Sequence, residues 1–319
     1  MRPRFRLYRG SLPPPSVPRR VLESKGCRPG MKLIALCMAK NEEYWIWYAL
    51  TSVQPWVDEI HFFDNHSEDR TLEIVRGMKH LGDRLRIHPE YGGESEQANR
   101  EGCLETAREA GGTHVLFLDG DEVHIGAHLA FARRLLEVTE HEPPLPDPPR
   151  NPEVPGDHSP TDGILVKNIG FRPVHPGYEG PGTSIPQDLL QPDGDHGCYN
   201  FAIRISSLCN LRGNGLEWGR HGYLETGGVY IQSSSRTLWC PRLHYYHFTH
   251  HPRSSARKEG GGVWIRKPQD LGSVPVRPSV EVPEVLFRPD GPANPTLEAW
   301  GLRDRDPSDV GFFRSFPVS

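Results

Sequence analysis

HVLFLDGDEV, residues 114–123, runs an apolar stretch straight into two aspartates separated by a single glycine. Val115 to Leu118 form a continuous apolar run, the pattern of a strand covered on both faces in a parallel sheet. Asp119 and Asp121 then stand at its carboxyl end. Two carboxylates this close raise each other's pKa unless a cation or hydrogen-bond donors compensate, so the pair calls for a partner. A polar turn also accounts for the pair taken alone, because Asp-Gly is a common turn dipeptide.

The stretches before it alternate strand and helix. MKLIALCMA (31–39) is a buried-strand run. In NEEYWIWYALTSV (41–53) Asn41 is placed to cap a helix, with Glu42 and Glu43 in its first turn and Trp45, Tyr48, Ala49 and Val53 near one face. VDEIHFFDN (57–65) reads as a second strand, SEDRTLEIVRGMKH (67–80) as a helix and RLRIH (84–88) as a third strand. A helix from about Glu94 to Ala110 lines up Cys103, Ala107 and Ala110 before the fourth strand, HVLFLDGDEV. Ile125, Leu129, Ala132 and Leu136 keep helical spacing after it. This order predicts an open, mostly parallel α/β sheet, whose ligands bind beyond the carboxyl ends of the strands. Three such ends carry polar clusters: Lys40-Asn41-Glu42, Asp64-Asn65-His66-Ser67 and Asp119-Gly120-Asp121.

After about Thr161 the pattern changes. GILVKNIGFRPV (163–174), CYNFAIRISSL (198–208), GGVYIQ (227–232) and LHYYHF (243–248) read as strands between glycine-rich loops, an antiparallel second half that continues the sheet at one side. Proline clusters at 13–18, at 143–160 and from 268 onwards divide the chain. The expected organisation is a flexible leader (1–30), a strand-and-helix half (31–140), a proline-rich loop (141–162), a strand-rich half (163–267) and a proline-rich tail (268–319).

Charge and cysteine usage narrow the classes. Lys plus Arg is 37 against 41 for Asp plus Glu, a net charge of −4 that offers no general attraction to nucleic acid or acidic membranes. Neither a spanning apolar segment nor the apolar stretch of a signal peptide stands out. A soluble, cytoplasmic chain is expected, with peripheral membrane contact left open. Six widely spaced cysteines without a CxxC pair read as reduced, mostly buried thiols.

Taken together, AKNEEYWIWYAL, VDEIHFFDNHSEDRTLEIV and HVLFLDGDEV resemble the family 2 glycosyltransferases in order and spacing. The resemblance covers residues 31 to 130 well and the rest loosely. It implies a GT-A fold, a Rossmann-like mixed sheet flanked by helices, with an acceptor-binding second half. It also implies an inverting transferase that takes a nucleotide-diphosphate sugar, a UDP-sugar by preference, to an unknown acceptor. The cofactor would be Mn²⁺ or Mg²⁺, which carboxylate oxygens suit and which stabilises the departing diphosphate as a Lewis acid.

On this resemblance Asp121 is a metal ligand, while Asp119 serves the ribose or a metal-bound water. Asp64, with Asn65 beside it, would accept from the base or ribose. Ala39, Lys40, Asn41 and Glu42 would wall the base, capping and surface solvation being the other roles open to Lys40 and Glu42. Gly120 belongs to the donor site, and Arg100 would face the diphosphate unless it lies on a solvated helix face.

LHYYHFTHHPRSSARK (243–258) holds four histidines. Strand alternation puts His244 and His250 on one face and His247 on the other, so they do not all converge on one zinc ion. The resemblance implies one histidine as a further metal ligand, His247 first and His244 second. Arg253, Arg257 and Lys258 follow in a helix or lid. In LEWGRHGYLETGG (216–228), Glu225 and Glu217 both stand open as the catalytic base, and Trp218 and His221 would border the sugar unless they are structural. A nucleotidyltransferase is a second reading, weakened because LCMAKNEEYW lacks a glycine-rich phosphate loop. A non-catalytic nucleotide- or metal-binding module is a third. Without a QxxRW motif, a processive membrane synthase does not fit.

Overall fold

The computed structural model describes residues 31–93, 95–139, 168–174, 207–210, 216–218, 224–226, 229–230, 237–248, 251–256, 282–299 and 301–302. The expected leader (1–30) and the whole of the 141–162 loop lie outside them.

The chain forms β1 (Leu33–Ala39), α1 (Ile46–Val53), β2 (Glu59–Asp64), α2 (Thr71–Gly77), β3 (Leu85–His88), α3 (Glu96–Glu109), β4 (His114–Asp119), β5 (Glu122–His124) and α4 (Gly126–Thr139). Beyond these come β6 (Asn168–Val174), β7 (Ser207–Asn210), β8 (Leu216–Trp218), β9 (Leu224–Thr226), β10 (Val229–Tyr230), β11 (Thr237–His247) and α5 (Pro295–Ala299). One sheet runs β3-β2-β1-β4-β7-β6-β11-β5, and β8, β9 and β10 make a second, antiparallel one. From β3 to β4 the strands are parallel, as their apolar runs require. The larger sheet turns mixed beyond β4. β7 is antiparallel to both β4 and β6, but β6 and β11 run parallel, which corrects the expectation of an antiparallel second half.

HVLFLDGDEV is not one strand. It breaks at Gly120-Asp121, and Glu122–His124 pairs with β11 on the far side of the sheet. That break lets one short peptide serve two strands and turn its acids outward from the sheet's end.

Helix α1 is buried on every side, not on a single stripe. The sheet covers one side, and residues 282–302 cover another. Val285, Leu286, Phe287, Leu297 and Leu302 are buried in the same core as Trp45 and Leu50. The Tyr48 hydroxyl donates to Pro292 O at 3.0 Å, and Asn294 both donates to Tyr44 O at 2.7 Å and caps α5 through Thr296 N–H and Leu297 N–H. A segment read from its prolines as tail is therefore packed structure where its apolar residues allow it. Cys37, Cys103 and Cys209 are buried free thiols; the other cysteines lie outside the described cysteine environments. Among the described residues no helix is long and apolar enough to cross a membrane.

Candidate active site

Parallel pairing brings the three polar clusters to one edge. In register, Ala39 lies beside Asp64 and Met38 beside Asp119, so the ends of β2 and β4 flank the end of β1. The chain leaves β1 through Asn41, which adopts φ 56°. This is a left-handed turn that asparagine tolerates better than most residues. The Asn41 amide donates to Ser67 Oγ at 3.0 Å, and Asn41 Oδ1 accepts from Glu68 N–H at 2.7 Å. Asn41 thus ties the β1 and β2 ends together and does not cap α1. Nor do Glu42 and Glu43 enter the first helical turn, since α1 begins at Ile46; both are buried acceptors.

Asp64 is buried, and Oδ2 accepts from Ser67 N–H at 3.2 Å while Oδ1 has no hydrogen-bond partner among the described residues. Asp119 is within 3.5 Å of Arg100, which rises from α3, the helix capped by Ser95. Helix position therefore places Arg100 in the site and not on a solvated face. Asp121, only 1% exposed, lies 3.6 Å from His247 Nε2 and 3.1 Å from Arg253 Nε. The pairing of β11 with β5 sets His247 opposite Glu122 and so delivers its ring. Burial alone would lower the His247 pKa, but Asp121 beside it, with Glu122 and Asp119, holds it up at about 9.

Arg100, Asp119 and Arg253 border a cleft of ≈ 320 Å³, lined also by Met38, Ala39, Lys40, Glu42, Asn65, Gly93, Asn99 and Gly120, while Asn41, Asp64, Asp121 and His247 do not line it. Of the expected donor residues, Ala39, Lys40, Glu42, Asn65, Arg100, Asp119 and Gly120 line it together. The side chain of His244 and the whole of His221 and His250 lie outside the described residues, as do Arg257 and Lys258. For Glu217, Trp218 and Glu225 only the backbone is described. Glu217 faces Glu225 in register across β8 and β9, and β8 lies against α3. Residues 253–256 form a coil and turn, not a helix.

Two residues gain roles that the sequence reading did not give them. Glu122 is fully buried behind the aspartates, and its Oε2 accepts from Asp119 N–H at 3.1 Å, fixing the turn. Burial, with Asp119 next to it, pushes its carboxyl up to about 8. Coming straight after Asp119-Gly120-Asp121, Glu122 gave no local signal of its burial. The second is Arg253, whose guanidinium also pairs with Glu42, 211 residues away in the chain.

Gly120 is required by close approach. A Cβ there would lie 2.8 Å from both the Ala39 Cβ and the Glu42 Cγ. Gly120→Ala should therefore cost about 1–3 kcal/mol of stability, as overpacking does, and weaken nucleotide binding by shifting the cleft floor. Urea unfolding and UDP titration on the same sample check this. Wild-type values for both would show that Ala39 and Glu42 give way freely.

Residues 36–142 match the sequence model for Glycosyl transferase family 2. No curated protein matches the chain in sequence. Among solved structures, it is similar to S. aureus TarS, at 17% identity and TM-score 0.43 over 68% of this chain and 37% of that one. It is also similar to residues 1–349 of S. aureus TarS in complex with UDP-GlcNAc, at 17% identity and TM-score 0.44 over 72% and 62% of the two chains. A third likeness is to the mannosyltransferase PcManGT from Pyrobaculum calidifontis, solved with GDP-Man and Mn²⁺, at 15% identity and TM-score 0.38 over 76% and 63%. The chain thus spans less than two thirds of each of these structures. The family match runs through all three polar strand ends, and over residues 36–142 the chain is similar to glycosyltransferase family 2.

Proposed function

We propose that this chain transfers a sugar from a nucleoside-diphosphate donor, a UDP-sugar, to an acceptor with inversion at the anomeric carbon, assisted by Mn²⁺ or Mg²⁺. The observation that carries this is the gathering of Asp119, Arg100 and Arg253 about one cleft at the carboxyl ends of parallel strands, with Asp121 buried beside Arg253.

Among the described residues no three His, Cys, Asp or Glu side chains form a metal cluster, so a metal here would take further ligands from the donor's phosphate oxygens. Asp121 is a buried carboxylate that already attracts two cationic side chains, and carboxylate with imidazole is a ligand set that Mn²⁺ accepts. Asp121 and His247 would hold the metal, with Asp119 contributing directly or through water. Bound there, the metal would neutralise charge on the departing diphosphate. Arg100 and Arg253 add fixed positive charge on either side.

Asp64 supports uracil. One of its oxygens is already committed to Ser67 N–H, and the other remains to accept a single N–H. Uracil offers one imide N–H there, whereas guanine presents two adjacent donors that call for both carboxylate oxygens. The base for the acceptor hydroxyl is assigned to Glu225, with Glu217 opposite it as the alternative.

A thermal-shift series with UDP and GDP, in Mn²⁺ and in EDTA, tests the reading. UDP with Mn²⁺ should stabilise the chain by about 2.7 kcal/mol at a hundredfold excess over Kd, GDP should do less, and EDTA should remove most of the effect. Equal stabilisation by UDP in EDTA would defeat metal dependence.

A further inference from the structure

Arg253 sits between two buried acids. Its Nε lies 3.1 Å from Asp121 Oδ2 and 3.0 Å from Glu42 Oε2, and its Nη2 donates to Glu42 Oε1. The backbone that carries it is fastened on both sides. Phe248 N–H donates to Asp121 O at 2.9 Å, Tyr44 N–H donates to Arg253 O at 3.2 Å, and Trp45 Nε1–H donates to Pro252 O at 2.8 Å. Beyond it, the Ser255 amide and hydroxyl both donate to Glu43 Oε1, and the Ser254 hydroxyl donates to Asp69 Oδ2. These ties hold the main chain, so a change of partner at Arg253 is a side-chain event and not the closing of a loop.

Resting on the reading of Asp121 as a metal aspartate, we propose that Arg253 is a built-in counter-cation. It occupies Asp121 while nucleotide is absent, and yields that carboxylate to a divalent cation when a nucleoside diphosphate offers phosphate oxygens in exchange. A planar guanidinium matches carboxylate and phosphate equally well, which makes the exchange geometrically simple. A free metal ion entering alone would have to displace a positive charge from a buried acid, where screening is weak. Entering with a diphosphate, it arrives with the negative charge that Arg253 then needs. Glu42 keeps hold of the guanidinium during the exchange. By linkage, nucleotide must then tighten the metal as much as metal tightens nucleotide.

Electron paramagnetic resonance of free Mn²⁺, titrated with the full chain with and without UDP, reads this directly. The wild type should bind Mn²⁺ weakly alone and more tightly with UDP. Arg253→Gln should bind Mn²⁺ alone at least about tenfold more tightly, the effect of losing one charged contact, and should gain less from UDP. Arg133→Gln removes the same charge from beside Asp58, away from the cleft, and should stay within about twofold of the wild type, as distant sites do. A folded Arg253→Gln with unchanged or weaker Mn²⁺ binding would overturn the proposal, and so would an equal gain in Arg133→Gln. Should Arg253→Gln fail to fold, the double variant Arg253→Gln/Glu42→Gln decides, since it leaves no unpaired charge on Glu42. Its free Mn²⁺ affinity should rise as well, and no rise would refute the exchange. Wild-type UDP affinity that is the same in Mn²⁺ and EDTA would instead remove the functional reading on which this rests.

Discussion

With Asp121 as the proposed metal ligand, Asp121→Asn should abolish the metal-dependent part of nucleotide binding and lower transfer by at least about a thousandfold, since a metal contact worth several kcal/mol is lost at 1.36 kcal/mol per decade of rate. Asn keeps the shape of the side chain but removes the charge that draws His247 and Arg253 toward it. Arg253 still has Glu42 as partner, and the Asp121 carbonyl still accepts from Phe248 N–H, so the turn persists. His247 no longer has its principal anion, and its pKa should fall from about 9 toward the ordinary imidazole value. NMR titration of that ring, thermal unfolding without ligand, and UDP binding in Mn²⁺ and EDTA separate the possibilities. A variant that folds, keeps full metal-dependent UDP binding and still transfers sugar would rule Asp121 out as a ligand. A variant that merely unfolds says that the ion pairs hold the fold, and Asp119→Asn, more exposed and partnered by Arg100, then carries the test of the acidic pair.

The parallel half of the fold was legible because its strands are buried on both faces and so read as uninterrupted apolar runs. Cluster positions followed from that: once β1, β2 and β4 are parallel and adjacent, residues at their ends must meet. Local polar roles were less legible. Asn41 before two glutamates and an aromatic helix reads as an N-cap, yet the same side chain also suits a left-handed turn, and only the ties to Ser67 and Glu68 decide between them. The path of residues 282–302 was masked by their prolines, although VLF at 285–287 is an apolar run that has to be buried somewhere. Glu122 carried no reading of its own, because its partners come from β11 and from its own turn. Arg253 was identifiable as a cation near the site, but its pairing with Glu42 depends on where β11 ends in space, which no local pattern encodes.

The two acids proposed for the chemistry at the acceptor stand opposite one another in register, Glu217 on β8 and Glu225 on β9. Like charges directly opposite in an antiparallel pair destabilise each other. One acid of such a pair therefore tends to hold a proton more tightly than the other, and only the ionised one serves as a base. If Glu225 is that base, Glu225→Gln should bind UDP-sugar and metal as the wild type does and lose about 10²–10⁴-fold in transfer, the usual contribution of general base catalysis. Glu217→Gln should leave the chemical step in place and lower the apparent pKa of the base, because the like charge beside it is gone. The acid limb of the pH–rate profile then moves to lower pH, since the base stays ionised further down. The two residues exchange roles if single-turnover transfer survives Glu225→Gln and collapses in Glu217→Gln. Stability read on the same samples guards against a trivial cause. Activity that falls only in proportion to folded protein marks a structural acid, and full transfer in both variants removes the base from this hairpin altogether.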